Sequence, residues 1–229
     1  MRPRLEPVDP AYLMGLREHV HHVLRRAIIA GELPAGTWLN ERQMATELGV
    51  STTPLKEALR RLESEGLVAT EPRRGVRVTF DAGQAEEMAL ARAALEGMIA
   101  RMAAQRIDTE ETLRLGAIVD AMAHATTAGE VDTLIALNEQ FHDGIHVISG
   151  CRYLQRLTEG QRIYVHTARA IILGDADERA RAFGEHRAIF DALVARNPDD
   201  AERSMREHVV RSAQQHVRTA FERRTETPS

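Results

Sequence analysis

Three histidines stand alone in the middles of long helical patterns, and imidazole is a common metal ligand. They are His142, His186 and His208, three of the ten histidines in a chain of 229 residues. Asn138 precedes His142 by four residues, so both side chains project from one face of the same predicted helix. Imidazole nitrogen suits borderline metals such as zinc and nickel. Taken singly, each histidine is more typical of a hydrogen-bonded or exposed residue, so a metal site requires that all three face inward.

A second pairing is possible within the same helix. His146 follows His142 by four residues and therefore also lies near that face. The alternative for His146 is a polar residue on the other edge of the helix. The spacing alone leaves both readings open.

Donor side chains follow one side of another, shorter helical pattern. Its apolar stripe runs from Leu55 to Leu62 and leaves Thr53, Lys56 and Arg60 on the opposite face. A predicted hairpin follows, with Arg73, Arg74 and Gly75 at its tip. These donors suit DNA phosphates and base edges, and glycine allows close approach of the backbone. The alternative is a solvated helix face, which accounts for most charge clusters.

The elements that carry these residues predict a mainly α fold. A helix ending near Ala30, a short helix from Asn40 to Gly49, a third helix from Ser51 and a hairpin over 67–80 form a winged helix-turn-helix. An all-α bundle of about six helices follows. These helices are predicted at 84–107, 109–127, 131–149, 152–173, 177–196 and 199–223. The predicted domains are 11–80 and 81–226.

Composition narrows the classes of protein. Residues 1–80 hold 12 Lys and Arg against 10 Asp and Glu, whereas the remainder holds 18 against 24. This asymmetry permits a DNA-binding first domain and an acidic second one. The single cysteine, Cys151, excludes an internal disulfide, and no apolar run approaches the roughly 20 residues of a membrane span. We therefore expect a cytoplasmic protein without a membrane partner.

The first predicted domain resembles the DNA-binding domain of the GntR family of transcription regulators. Three segments carry the resemblance: AIIAGELPAGTWLNE at 27–41, LGVSTTPLKEALRRL at 48–62 and PRRGV at 72–76. The resemblance implies DNA contacts, extended here to Arg60 and Arg73 from their places on the basic face and the wing. The implied contact residues are Arg42, Ser51, Thr52, Thr53, Lys56, Arg60, Arg73 and Gly75.

Two positions depart from the family pattern within that set. The family usually has arginine where Thr52 and Lys56 stand. Lysine cannot present the planar fork that binds guanine O6 and N7 together. We therefore expect an operator that differs from the family's common one.

The second predicted domain resembles the FCD-type effector domain of the FadR-like branch. The stretches RAALEG at 92–97, NEQFH at 138–142, EHRAI at 185–189 and MREHV at 205–209 carry this resemblance. It implies that Asn138, His142, His186 and His208 form a divalent-metal site, with zinc as the expected metal. The family usually has a carboxylate where Asn138 stands, so weaker metal binding is expected.

The resemblance also implies how an effector binds and what the protein does. A small organic acid would bind the metal, and Arg92, Arg101 or Arg162 would hold its other end. A homodimer would bind palindromic double-stranded operator DNA, most often as a repressor. Two alternatives stand beside this reading: a regulator that senses the metal itself, and a zinc-dependent hydrolase. The hydrolase lacks a His-Glu-x-x-His pair, and Glu185 beside His186 points to another side of the helix, so no enzyme is expected.

Overall fold

The computed structural model describes residues 10–159, 169–170, 172–218 and 221. The chain divides into two compact units, Met1–Asp81 and Ala82–Ser229. Helices dominate both units, and a small three-stranded sheet belongs to the first. The predicted fold class, a winged helix-turn-helix followed by a helical bundle, is therefore confirmed.

The first unit consists of three helices and the sheet. Its elements are α1 (Pro10–Ile29), β1 (Trp38–Leu39), α2 (Glu41–Glu47), α3 (Thr52–Ser64), β2 (Val68–Glu71) and β3 (Gly75–Val78). The strands are antiparallel in the order β1-β3-β2, and Val76 of β3 lies opposite both Leu39 and Thr70. Helix α1 packs on α3, and buried side chains such as Ile28, Leu55 and Leu62 form the core between them.

Local sequence sets the ends of the two short helices. The Asn40 side chain accepts hydrogen bonds from the backbone N–H groups of Arg42 and Gln43 and so caps α2. Gly49 has a φ of 65°, a left-handed conformation that glycine adopts at little cost, and it makes the turn into α3. Ser51 occupies the N-cap position of α3, but its hydroxyl makes no capping hydrogen bond among the described residues.

The second unit is a bundle whose described helices follow the predicted ones closely. They are α4 (Ala82–Arg106), α5 (Thr109–Ala128), α6 (Val131–Ser149), α7 (Arg152–Glu159), α8 (Ala176–Val194) and α9 (Pro198–Val217). Asp108 and Glu111 form a reciprocal capping box at the start of α5. The side chains of Asp175 and Asn197 accept hydrogen bonds from backbone N–H groups and so cap α8 and α9. The helix predicted over 152–173 begins as expected, and part of it falls outside the described residues.

Packing in the bundle places α6, α8 and α9 around a shared interior. Helix α4 lies along α9, and Gly97 provides the close approach there because a Cβ would collide with the Arg206 side chain. Phe141, Ile145 and Ile189 are fully buried in the same core. In the described part of the chain, no helix is both long and apolar enough to cross a membrane.

Candidate nucleic-acid interface and metal centre

The outer face of α3 carries the side chains expected to contact DNA. Its inner face is buried through Leu55, Ala58, Leu59 and Leu62. The opposite face is exposed and holds all of the expected donors on this helix and its cap. These are Ser51, Thr52, Thr53, Lys56 and Arg60. The amphipathic stripe therefore turns a row of hydroxyl and basic groups outward.

Helix α2 contributes further charge beside that face. Arg42 is exposed in its first turn. Glu41 lies 3.6 Å from the Lys56 ammonium through its Oε2 atom, and both side chains are exposed. An exposed ion pair of this kind contributes little stability. Lys56 can therefore exchange this carboxylate for a phosphate at low cost.

The hairpin between β2 and β3 forms a tip with an unusual backbone. Arg73 has a φ of 66° and Gly75 a φ of 106°, both left-handed. A side chain at position 75 would meet nothing within 4 Å, so the backbone there is open to an approaching surface. The conformation therefore requires glycine at position 75 even though space is available.

The sequence did not reveal a cluster beside this tip. The Arg74 guanidinium lies 5.3 Å from the ring centroid of Trp38, and that of Arg77 lies 6.0 Å from it. Both arginines also pair with Glu71, Arg77 through Nε at 2.9 Å and Arg74 through Nη1 at 3.2 Å. These contacts lower the pKa of Glu71, chiefly through the hydrogen bond from Arg77. The partners come from different strands, so only the folded sheet brings them together.

The bundle brings the three predicted histidines together. His142 on α6, His186 on α8 and His208 on α9 are all buried, and their candidate ligand atoms lie within 4.8 Å of one another. The ring centroids of His186 and His208 are 4.5 Å apart, and that of His142 is 5.6 Å and 5.5 Å from them. Three imidazoles on three helices thus surround one point.

Hydrogen bonds orient two of these rings. Nδ1 of His186 donates to the Ala182 carbonyl oxygen at 2.6 Å, and Nδ1 of His208 donates to Oε2 of Glu185 at 2.8 Å. Glu185 is in turn held by Arg211, whose Nη2 donates to Oε2 at 2.9 Å. In both rings Nε2 is the nitrogen that is left for a ligand. The sequence placed Glu185 beside His186, yet its partner is His208.

His142 differs from the other two histidines in the hydrogen bonding that the described residues offer its ring. Neither Nδ1 nor Nε2 has a hydrogen-bond partner among the described residues, although the side chain is buried. Burial lowers the pKa of His142 well below its usual value, and nearby positive groups, Arg169 first, lower it further. Burial also lowers the pKa of His186 strongly and that of His208. The three imidazoles are therefore neutral at pH 7, the state that binds metals.

These residues fit a divalent metal. Three neutral imidazoles converge, two of them oriented by oxygen acceptors through their second nitrogen, which is the usual outer arrangement of metal-binding histidines. One of the two His142 nitrogens, neither of which has a partner among the described residues, would gain one from the metal. The donor set of three nitrogens is the one that zinc accepts while keeping a further position open.

Asn138 lies beside this cluster, and so does an arginine that the sequence did not single out. The amide of Asn138 is buried between Nε2 of His186 and the guanidinium of Arg169. Burial lowers the pKa of Arg169 to about 9, with Arg92 as the next contributor. The group therefore still carries its charge at pH 7. Arg169 belongs to the predicted 152–173 helix, and its spacing there did not distinguish it from other polar positions of an amphipathic helix.

Arg92 and His146 share a buried carboxylate. Nε2 of His146 donates to Oε2 of Glu96 at 2.7 Å, and Nε of Arg92 lies 3.5 Å from Oε1. Burial acts to raise the pKa of Glu96, but the hydrogen bond from His146 and the charge of Arg92 lower it overall. His146 is therefore engaged with Glu96 and does not join the histidine cluster. In the described residues, His146 thus pairs with Glu96 and not with His142.

Of the other two expected effector residues, the structure describes Arg101. Nη1 of Arg101 donates to Oδ1 of Asp199 at 2.5 Å and to Oε2 of Glu202 at 3.1 Å. These two carboxylates hold Arg101 at the start of α9, at least six residues before His208, and its contact with an effector stays a prediction. Arg162 lies outside the described residues.

Comparison with known proteins agrees with this architecture. Residues 16–78 match the bacterial regulatory proteins of the gntR family, and residues 87–211 match the FCD domain. The chain is 30% identical over 208 residues to the transcriptional regulator YdhC of Bacillus subtilis, covering 90% of each chain. It is 26% identical over 207 residues to the transcriptional repressor RspR of Escherichia coli, covering 90% of this chain and 89% of RspR.

A solved structure shares the same fold. Escherichia coli McbR/YncC superposes with a TM-score of 0.61 at 21% identity, covering 91% of this chain and 98% of that one. The two family domains occur in the expected order, and the relatives match along nearly the whole chain. The chain belongs to the GntR family of bacterial transcription regulators and carries an FCD domain in its helical unit.

Proposed function

We propose that this regulator is a ligand-responsive repressor that binds a pseudo-palindromic operator as a homodimer and releases it when a small organic acid binds the helical unit. It acts in the cytoplasm, where operator DNA is located, and catalyses no reaction. The observation that carries the effector half is the histidine cluster with two buried arginines beside it, Arg92 and Arg169. The name of RspR as a repressor supports the sign of regulation.

The DNA half rests on the exposed face of α3 and on the wing. Helix α3 is the recognition helix, and its first turn, Ser51 to Thr53, faces the base edges together with Lys56. Arg42 and Arg60 contact phosphates from either side. The tip at Arg73 and Gly75 approaches the backbone or the minor groove. Lys56 and Thr52 alter the sequence preference relative to regulators with arginine at these positions.

The effector half rests on charge and on donor chemistry. His142, His186 and His208 would hold zinc, which when bound supplies an open coordination position for a carboxylate oxygen. Arg92 and Arg169 are buried cations that both act on the pKa of His142. Arg92 is paired with Glu96, but two guanidinium groups near the histidines still favour an anion there, because low dielectric strengthens charge interactions.

A zinc hydrolase is disfavoured by the environment of Glu185. A hydrolase needs a carboxylate free to take a proton from bound water. Glu185 instead accepts from His208 and Arg211, and these bonds lower its pKa although burial acts to raise it. It therefore orients a ligand and is a poor base. A regulator that senses the metal itself would use the same histidines. Experiment distinguishes it from a regulator that senses an organic acid.

Switching needs only a modest difference in affinity. The effector must bind one arrangement of the dimer more tightly than the other, and about 1.4 kcal/mol of difference changes operator affinity tenfold. By linkage, the operator weakens effector binding by the same factor. This reciprocity gives two independent measurements of one coupling energy.

The test is operator binding by the full chain, measured by gel shift with its own upstream region. We expect retardation by the wild type and a loss of at least tenfold for Arg42→Ala. Arg187→Ala is the matched control, because Arg187 is an exposed arginine that pairs with Asp191 in the helical unit. No retardation even at low salt would overturn the regulator proposal.

Two further arms separate the effector from the metal. Protein stripped with a chelator is tested with and without added zinc, and a panel of small organic acids is then added to the zinc-loaded protein. Release that requires an acid supports the proposed function. Release by zinc alone assigns the metal itself as the signal and overturns the acid effector.

A further inference from the structure

The side-chain amide of Asn138 lies between a hydrogen-bond acceptor on one side and a group of donors on the other. On one side is Nε2 of His186, and on the other is the guanidinium of Arg169. The hydrogen bonds are satisfied when Nδ2 donates to Nε2 of His186 at 2.9 Å. Oδ1 then accepts from Nη2 and Nε of Arg169 at 2.8 Å and 2.9 Å. In this hydrogen-bonded orientation the carbonyl oxygen, the only atom of this side chain that could bind a metal, faces the arginine.

The reverse orientation of the amide is unfavourable at both ends. Arginine carries only donors, so an amide nitrogen facing Arg169 would oppose N–H groups with N–H groups. Nδ1 of His186 donates to the Ala182 carbonyl, so its Nε2 is an acceptor and would meet a second acceptor in Oδ1. All these groups are buried, where unsatisfied donors and acceptors cannot turn to water.

Building on the proposed function, we propose that Asn138 is an effector-contacting residue held in place by Arg169 and is not a metal ligand. A metal on Nε2 of His186 takes the acceptor that Asn138 now uses. The Nδ2–H group then needs a new acceptor beside the same point. A carboxylate oxygen of the effector supplies it, so effector binding depends on the metal without any contact between Asn138 and the metal.

The surroundings of Asn138 limit what can bind. A small cleft on this side is lined by Asn138, His186, Leu134, Met122 and Phe183. Its walls are mainly apolar, and Thr126 and Arg179 add a hydroxyl and a guanidinium to the amide and the imidazole. The effector therefore directs a carboxylate toward Asn138 and carries a small remainder.

The first test measures metal binding to the full chain and needs no DNA. Cobalt affinity and the cobalt absorption spectrum are recorded for wild type, Asn138→Ala and, as the control, His186→Ala. We expect Asn138→Ala to stay within threefold of wild type with an unchanged spectrum, and His186→Ala to lose at least 100-fold. A loss of tenfold or more in Asn138→Ala, or a changed spectrum, makes Asn138 a ligand and overturns the proposal.

The second test uses acetate as the probe on the cobalt-loaded proteins. We expect acetate to bind wild type and to bind Asn138→Ala at least fivefold more weakly, because one hydrogen bond to a carboxylate is lost. Equal acetate affinity overturns the effector contact while leaving the metal centre and the regulator function intact. If the wild type binds no cobalt, the metal centre itself fails and this inference fails with it.

A double variant shows whether Arg169 holds the amide. In the Arg169→Met background the Asn138 carbonyl is free to turn, so Asn138→Ala is expected to cost at least fivefold in cobalt affinity there, against less than threefold in wild type. Thermal unfolding checks that each variant is folded. Equal costs in the two backgrounds refute the role of Arg169, and the single-variant tests above do not depend on this one.

Discussion

Replacing Glu185 by glutamine removes the charge that orients His208 while keeping the shape of the side chain. Glu185 accepts from Nδ1 of His208 at 2.8 Å and from Arg211 at 2.9 Å, and its side chain is only 22% exposed. Glutamine keeps one carbonyl acceptor, but it no longer stabilises the imidazole electrostatically. Loss of such an outer partner lowers metal affinity about 10- to 100-fold. We expect about tenfold for Glu185→Gln, or about 1.4 kcal/mol, and about 100-fold for Glu185→Ala.

The assay is competition for zinc between the full chain and a chromophoric chelator. Glu207→Gln is the matched control, because Glu207 precedes His208 in the sequence but is exposed. It should bind zinc within twofold of wild type. Circular dichroism and thermal unfolding check that each variant retains the fold. Wild-type affinity in Glu185→Gln, or an equal loss in Glu207→Gln, would refute the reasoning that this carboxylate tunes His208.

Three further predictions concern the two units separately. If Lys56 also neutralises a phosphate, Lys56→Gln should lower the slope of log K against log salt by about 0.9, measured by fluorescence anisotropy; an unchanged slope would show that Lys56 neutralises no phosphate. Gly75→Val should destabilise the first unit by at least about 1 kcal/mol because of the left-handed backbone. The control Gly184→Ala places its methyl group in open space on a helix and should not destabilise the protein. A urea unfolding experiment in which Gly184→Ala is the more destabilising change would contradict this prediction. Metal-free protein should lose stability as the pH falls below about 6.5, by up to about 1.4 kcal/mol per unit for each buried neutral histidine, because burial lowers the folded-state pKa of His142 and the unfolded chain takes up the proton first. His142→Leu should show a shallower slope, and an identical slope would show that His142 takes up its proton equally in the folded and unfolded states.

Local signals explain how much of the fold the sequence predicts. Capping residues such as Asn40, Asp108 and Asn197 act on backbone groups within three residues, so their effect is readable without tertiary structure. The helix periodicity likewise separates the buried and exposed sides of α3. For these reasons the predicted element ends differ from the observed ones by only a few residues.

The site was only partly predictable, because its contacts join distant parts of the chain. The spacing of Asn138 and His142 identified a shared face, but only the resemblance implied that three histidines converge. Glu185 is adjacent to His186 in sequence, yet successive helix residues point about 100° apart, so it reaches His208 on α9 instead. Arg101 pairs with Asp199, and the two residues are 98 positions apart in the sequence. No local pattern encodes such a partner.

The buried charges around the histidines favour the anionic effector that we propose. Glu96 is paired with Arg92 and hydrogen-bonded by His146, whereas Arg169 is satisfied by the neutral amide of Asn138. A carboxylate at position 138 would have balanced Arg169 within the protein. With asparagine there, the nearest partner of Arg169 is neutral, although the carboxylates of Glu96, Glu139 and Asp143 offset its charge electrostatically, and a bound metal would add positive charge beside it. The proposed organic anion would gain from both cations at once, so we expect metal and effector to bind with positive coupling, each tightening the other by the same factor.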